Sequence, residues 1–373
     1  MPETKPDIQI FDDGVCDACK SFKNRKKINW DLRKKELLKI TKKFKSLNNN
    51  YDCIVPVSGG KDSTYQTIIA LELGLNPLCV VAVTDMLSDI GRKNIENIKK
   101  LGVDCIEYTS NPVVRRKINF FTLETIGDIS WAEHITIFTI PVQVSINMKI
   151  PLIIWGENSQ NENGGPDYMR NKNILDRKWL EEFGGLLALR TSDIHKIMNI
   201  PKKNLLPYTY PKDSQIKKNK TTGIFLGHYI PWDGHKNVEL AVKNGFQVYE
   251  KEVEGNLVNY ENLDNLQMRI HDYFKFLKYG YDRITDWCCW HIRRGRMTRE
   301  ESIKIAKAKG GKYPNSYLGV DIKEILKEIN CSEKKFLEIC KKFTNTQIFK
   351  CDNQGIPLTD QKKNLTKINY DNI

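Results

Sequence analysis

Cysteine is scattered: of ten in 373 residues, only Cys16/Cys19 and Cys288/Cys289 lie close together. That excludes the dense disulfide framework of a small secreted domain. The opening residues, MPETKPDIQIFDDG, lack the apolar core of a signal peptide. The longest apolar run, from Ile135 to Trp155, is interrupted by Pro141, Pro151, Gln143, Ser145, Asn147 and Lys149. Those breaks argue against a membrane span and predict a buried helix followed by a buried strand. There is no internal repeat and no Walker-type G-x-x-x-x-G-K-[ST] loop. These absences predict a cytoplasmic globular protein, long enough for two domains or one large domain with additions.

Acidic residues are also in deficit, and the net charge is +13. Residues 1–50 carry thirteen Lys/Arg against seven Asp/Glu, residues 196–220 seven against one, and residues 293–312 eight against two. Such clusters suit a nucleic acid, a nucleotide sugar or an acidic partner, or form a plain solvated surface. The arginines at 293–299 stand out because guanidinium forks match phosphate and carboxylate.

Residues 1–29 read as an irregular Cys-containing segment. From Trp30, apolar residues at 37, 38, 40 and 44 predict a helix with a basic outer face, ended by Asn48–Asn50. An alternation follows. YDCIVPV, PLCVVAVT, DCIEYT and PLIIWGEN predict strands, with helices at KDSTYQTIIALELG, GRKNIENIKKLG and within 115–149. Strand–helix alternation of this kind means a parallel sheet covered on both faces. The polar stretch 157–222 predicts a long insertion, mobile in part. GIFLGHYIPWDG resumes as strand and loop, HKNVELAVKNGF as a helix, and 262–310 as helices with a capping box at TREE, 298–301. The tail from 321 predicts small helices. The expected division is 1–29, 30–230 and a mainly helical 231–373.

The most informative stretch is Ser58-Gly59-Gly60-Lys61-Asp62-Ser63, between an apolar strand and a helix. In a parallel sheet that turn lies at the carboxyl edge, where ligands bind. Glycines let the main chain close on an anion, and the helix N-terminus faces it. Asp62 is out of place in an anion site unless it holds a cation such as Mg²⁺. Asp85 and Trp155-Gly156-Glu157-Asn158 end neighbouring strands at the same edge, which places Asp85 toward the adenosine end of a nucleotide and Glu157 toward metal or substrate.

The loop resembles the PP-loop, S-G-G-x-D-S, of the ATP pyrophosphatases. More widely, MPETKPDIQIFDDGVCDAC, INWDLR, LGLNPL, YIPWDGHKN, FLKYGYDRITD and IRRGRMTREE resemble the N-acetyl sugar amidotransferases of that group, which serve flagellin glycans (pseudaminic or legionaminic acid type) and lipopolysaccharide. The resemblance implies an α/β, Rossmann-like adenine nucleotide alpha hydrolase core with a helical C-terminal region. It implies that ATP adenylates an acetamido oxygen of a nucleotide-activated sugar, and that ammonia then displaces AMP to leave an acetamidino group. Lys61, Asp62 and Glu157 are the catalytic candidates. Ser58, Gly59, Gly60, Lys61, Asp62, Ser63, Asp85 and Gly156 would hold ATP, with Mg²⁺ on Asp62. Asp233, Asp286, Arg293 and Arg296 are the sugar-nucleotide candidates, with Tyr281, Arg294 and Arg299 beside them. No Cys-His-Glu glutaminase arrangement is apparent, so the resemblance implies a separate glutaminase of the imidazole-glycerol-phosphate-synthase type as ammonia source.

Cys16 and Cys19 form half of a zinc site, since four ligands are normally needed. The resemblance implies a zinc-ribbon-like element with a further C-x-x-C. Cys288, Cys289 and His291 are the other possible ligands, although adjacent helical cysteines point about 100° apart; packed thiols are the simpler reading. Cys53, Cys79 and Cys105 fall in strands and read as core. A different reading, a PP-loop tRNA-modifying enzyme of thiolase or lysidine-synthase type, fits the basic charge but lacks a second C-x-x-C, and nucleic acid is not the expected partner.

Overall fold

The computed structural model describes residues 1–45, 50–170 and 172–368, with the side chains of Asn161, Asp167 and Arg170 left aside. Asn48 and Asn49, the expected stop of the first long helix, lie outside the described residues.

The sheet is built first by sequence-local strands: β1 (Cys53–Pro56), β2 (Pro77–Ala82), β3 (Asp104–Tyr108), β4 (Leu152–Trp155), β5 (Ile174–Leu175) and β6 (Thr222–Phe225). Their spatial order is β3-β2-β1-β4-β6-β5, all parallel except β5, which runs antiparallel to β6. β2 is a continuous apolar run because both its faces are covered. Alternate residues point opposite ways. Val55, Cys79, Val81 and Ile154 pack beneath one helical layer, while Ile54, Val80, Ile153 and Trp155 face the other.

Helices α1 (Asp17–Asn24) and α2 (Trp30–Phe44) precede the sheet; α3 (Lys61–Glu72), α4 (Asp89–Lys100), α5 (Pro112–Ile126) and α6 (Trp131–Met148) connect its strands. The expectation of an irregular 1–29 is therefore corrected: CDAC opens a helix. Cys16 has extended backbone at its N-cap and Asp17 puts a carboxylate in the first turn, where the helix dipole favours it. The run 135–155 forms all but the first turn of α6, and then β4, as its interrupted apolar pattern predicts.

The stretch 157–222 is more than a loop. It carries α7 (Ser159–Asn163), α8 (Asp167–Arg170), β5, α9 (Arg177–Phe183), α10 (Thr191–Met198) and α11 (Asp213–Asn219). Leu180, Leu186, Ile194, Leu205 and Tyr208 from this stretch pack against Val114, Ile118 and Trp131 of α5 and α6. Its few apolar residues were too far apart to show periodicity, yet tertiary burial gathers them.

After β6, α12 (Gly234–Lys243) packs on α3. The C-terminal region holds α13 (Met268–Tyr279), α14 (Arg283–Arg293), α15 (Arg299–Lys309), a small hairpin of β7 (Ser316–Tyr317) and β8 (Val320–Asp321), α16 (Ile322–Glu328) and α17 (Glu333–Phe343). It has its own core around Ile270, Phe274, Leu277, Phe336 and Ile339. The capping box at Thr298 forms as expected: its hydroxyl accepts from Glu301 N–H, and the Glu301 carboxylate accepts from Thr298 N–H. Among the described residues, no helix is long and apolar enough to cross a membrane.

Candidate active site

β1 pairs with β2 on one side and β4 on the other, so the connections leave it in opposite directions. The turn after β1 and the turn after β4 thus flank the switch point of the sheet, the place where open α/β folds bind ligands. Residues 58–63 and 156–158 occupy these two turns.

Gly59 cannot be another residue without strain. Its φ is +86°, and a Cβ there would lie 2.9 Å from Ile95 Cγ1 and 3.1 Å from the Gly91 carbonyl oxygen. The turn is held by small bonds: Gly60 N–H donates to Ser58 Oγ (3.3 Å), Ser58 N–H to Ser63 Oγ (3.3 Å), and Ser63 Oγ to the Gly60 carbonyl (3.0 Å). Gly60 then caps α3, whose first turn presents Lys61 and Asp62.

Lys61 is almost fully buried. Its ammonium donates to Asp62 Oδ2 (2.6 Å) and to the carboxylate of Glu261. Burial works against that charge, but the two carboxylates outweigh it and hold the pKa above the usual lysine value. Asp62 Oδ1 accepts from Asn237 of α12 (3.0 Å), so three segments distant in sequence fix the pair.

These groups open on a cavity of about 300 Å³. Glu157 enters it from the β4 turn. Glu157 is exposed to the cavity; desolvation there first, then the charge of Asp62, pushes its carboxyl above its usual range. Two carboxylates so placed, beside a loop shaped for phosphates, suit a divalent cation. Asp62, with the phosphates of a nucleotide, is the residue that would hold Mg²⁺, which usually keeps only one or two protein carboxylates.

The cavity's other walls come from α7, through Ser159, Glu162 and Asn163, and mostly from the chain beyond residue 230. Asp233 caps α12 and forms ion pairs with Arg296 and Arg294 (3.4 Å to the latter). Despite burial, those guanidiniums hold the Asp233 carboxyl below its usual range. Asp286 pairs with Lys275, Arg283 grips Asp272 through two bonds (3.0 and 3.1 Å), and Trp232, Trp287 and Trp290 supply flat apolar surface. Glu162 of α7, itself in the cavity wall, joins Arg25 (2.5 Å) and Arg294 (3.1 Å).

The structure therefore brings Lys61, Asp62, Glu157, Asp233, Asp286, Arg294 and Arg296 around one cavity. Gly156 stands beside it; a Cβ there would sit 3.0 Å from Gln66 Oε1 and 3.3 Å from Trp232. Arg293 points away, donating to the Glu162 carbonyl (2.7 Å). Arg299 and Tyr281 line a second, more apolar cavity of about 340 Å³. Asp85 lies just beyond β2 with its carboxylate engaged by Arg115 (2.5 Å) and Asn119 (2.9 Å); burial raises its pKa even so. Glu261, Lys275, Arg283, Trp287, Trp290 and Asn237 escaped the sequence reading. Only the i, i+3 tryptophans in DWCCWH and the arginine in GYDRITD carried any signal.

The zinc expectation does not fit. Cys16, Cys19, Cys288 and Cys289 all line the second cavity. Yet among the described residues no three His, Cys, Asp or Glu side chains gather as a metal requires. Cys16 and Cys19 lie beside each other instead, and the Cys19 side chain holds the Cys16 thiol down to about 5. Cys288 is packed, its thiol donating to the Ser302 carbonyl (3.8 Å). Cys53 and Cys79 are fully buried in the sheet, and Cys105 is half-buried in β3.

Residues 249–364 match the family described as LPS biosynthesis protein WbpG-like, C-terminal domain. Comparison with curated proteins gives no significant match. Among solved structures, an NH3-dependent NAD synthetase from Campylobacter jejuni aligns over 60% of this chain and 100% of its own, at 12% identity and a TM-score of 0.30. An NMN synthetase from Francisella tularensis aligns over 60% of this chain and 89% of its own, at 14% identity and a TM-score of 0.28.

Proposed function

We infer, for a chain that joins a PP-loop core to a WbpG-like C-terminal domain, an ATP-dependent, AMP-forming amidotransferase that converts the acetamido group of a nucleotide-activated N-acetyl sugar to acetamidino, in the making of surface glycans. One observation carries the reading: the Ser58–Ser63 turn presents Lys61 and Asp62 to a cavity whose opposite wall, from the C-terminal domain, offers arginines, a lysine and tryptophans. Main-chain N–H groups and Lys61 suit the phosphates of ATP. The paired cations and the indole faces suit an anionic sugar nucleotide.

An amide carbon is a poor electrophile. Attack of the acetamido oxygen on the α phosphorus forms a P–O bond and releases pyrophosphate; the oxygen becomes part of a good leaving group. Ammonia then forms a C–N bond as the C–O bond breaks and AMP departs with its electron pair. The protein's part is to align the amide with the phosphorus and to balance the charge that moves onto pyrophosphate. Mg²⁺, when bound with the nucleotide, neutralises phosphate charge. A separate glutaminase of the imidazole-glycerol-phosphate-synthase type is the proposed ammonia source.

The test is mass spectrometry of reactions containing ATP, ammonium chloride and a panel of UDP- and CMP-linked N-acetyl sugars. The expected result is AMP with pyrophosphate, and a product in which NH replaces O. Asp62→Ala should abolish AMP release with an unchanged circular dichroism spectrum. Formation of ADP, or AMP release undiminished in Asp62→Ala, would overturn the assignment.

A further inference from the structure

We propose that the second cavity, behind α14, is a binding site for a small amphiphilic carboxylate. Its volume is about 340 Å³, within the range of small-molecule sites. α14 stands between it and the main cavity. Asp286, Trp287 and Trp290 face the candidate active site, whereas Thr285, Cys288, Cys289 and Ile292 face the second cavity.

The hollow exists because α15 puts little beneath itself. Arg299, Ser302, Ile303, Ala306 and Lys307 recur at helical spacing along the face that lines it. Ser302 and Ala306 are small, and Ser302 is the one buried residue of that helix. Phe276 of α13 and Ile292 supply further apolar wall.

The deep polar groups point to a ligand. Asp282, only 1% exposed, precedes α14 but its side chain does not cap the helix. Its Oδ2 accepts from Gly311 N–H (2.8 Å), while Oδ1 is buried without a hydrogen-bond partner. Gly310 leaves that oxygen uncovered: a Cβ there would stand 3.5 Å from it and 2.6 Å from the Ala306 carbonyl oxygen. Ser302 Oγ is likewise buried and unpartnered. The two belong to one neighbourhood, since the charge of Asp282 acts on the Cys288 thiol, which donates to the Ser302 carbonyl (3.8 Å). Buried polar atoms in proteins nearly always have partners, so two such atoms on one cavity mark where the polar end of a guest belongs.

Charge selects the kind of guest. Among the described lining residues, Arg299, Lys307 and Lys367 stand against a single acid, Asp282. Burial moves the Asp282 carboxyl toward its neutral form. With Oδ2 already accepting, the proton sits on Oδ1, which then donates. Lys367 is buried too, and burial brings its ammonium down to about 8 with Asp282 acting the other way. A carboxylate head therefore accepts from Ser302 Oγ–H and Asp282 Oδ1–H and meets the charge of Lys367, contacts of the strong charge-assisted kind. Exposed Arg299 and Lys307 attract it at the mouth, and its hydrocarbon body lies along Phe276, Ile292 and Ile303. An ammonium head would meet like charge.

The probe is the anionic dye 1-anilinonaphthalene-8-sulfonate, displaced in turn by octanoate, octanol and octylammonium. The dye should brighten with a saturable site on each chain. Octanoate should displace it at least about tenfold more tightly than octanol, and octylammonium should fail. Octanoate should also raise the melting temperature, because a ligand that binds the folded state stabilises it. Lys367→Met removes the charge and keeps an apolar stem; it should erase the preference for octanoate while octanol still binds. Ala306→Phe, which fills the hollow, should abolish displaceable dye binding. If Ala306→Phe does not fold, Lys367→Met decides. Absence of saturable dye binding in the wild type, equal affinity for octanoate and octanol, or a preference undiminished in Lys367→Met overturns the proposal.

Discussion

Glu261 lies 200 residues from Lys61 in sequence, yet its carboxylate accepts a hydrogen bond from the Lys61 ammonium. The contact joins the matched C-terminal domain to the Ser58–Ser63 turn. The segment that carries Glu261 is pinned next to β2: Ser88 N–H donates to the Asp264 carbonyl (2.9 Å), Leu266 N–H to the Met86 carbonyl (3.0 Å), and Asn265 Nδ2 to Glu133 (2.5 Å). The site is therefore complete only when both regions are folded against each other.

Glu261→Ala should cost roughly 1–3 kcal/mol of stability, less than breaking a buried pair outright because Asp62 still faces the ammonium. A lysine short of one carboxylate gains more from phosphate. ATP should then raise the melting temperature further in this variant than in the wild type. Thermal melts with and without ATP check both effects, and equal ATP shifts would show that Glu261 and phosphate do not share Lys61.

Gly59→Ala should lower stability by roughly 1–3 kcal/mol, the usual cost of forcing a side chain into a left-handed conformation. The contact with Ile95 adds to that cost. Denaturant unfolding checks it. In a double-mutant cycle with Ile95→Ala, which removes the clashing Cγ1, the coupling should recover only part of the loss, because the φ of +86° remains.

Glu157 gives the protein a pH dependence of a definite sign. Its carboxyl is raised to about 8 against an ordinary 4.5, so the folded state holds its proton longer than the unfolded state does, although solvent screening at this exposed residue keeps the effect small. The stability it supplies is complete below 4.5 and is lost as pH rises through about 8. Half-buried Asp264, raised to about 7 mainly by desolvation, acts in the same sense. Melting temperatures measured from pH 5 to pH 8.5 should fall more steeply in the wild type than in Glu157→Gln. Parallel curves would remove Glu157 from this account.

The order of strands and helices from residue 51 to 156 was legible in sequence because each strand is a short apolar run and α3 and α4 end just before Gly74 and Gly102. The insertion was not, since its burial depends on partners in α5 and α6. The helix opened by Cys16 was hidden in a polar segment whose cap is a cysteine, a residue without capping preference.

SGGKDS alone determined that a tight glycine turn follows the first strand into a helix, because two successive glycines free the backbone of side chains there. Which carboxylates, arginines and tryptophans face that turn was decided by tertiary structure. Lys61 carries a charge that burial cannot leave unpaired, and its second carboxylate comes from a domain whose position no local pattern encodes.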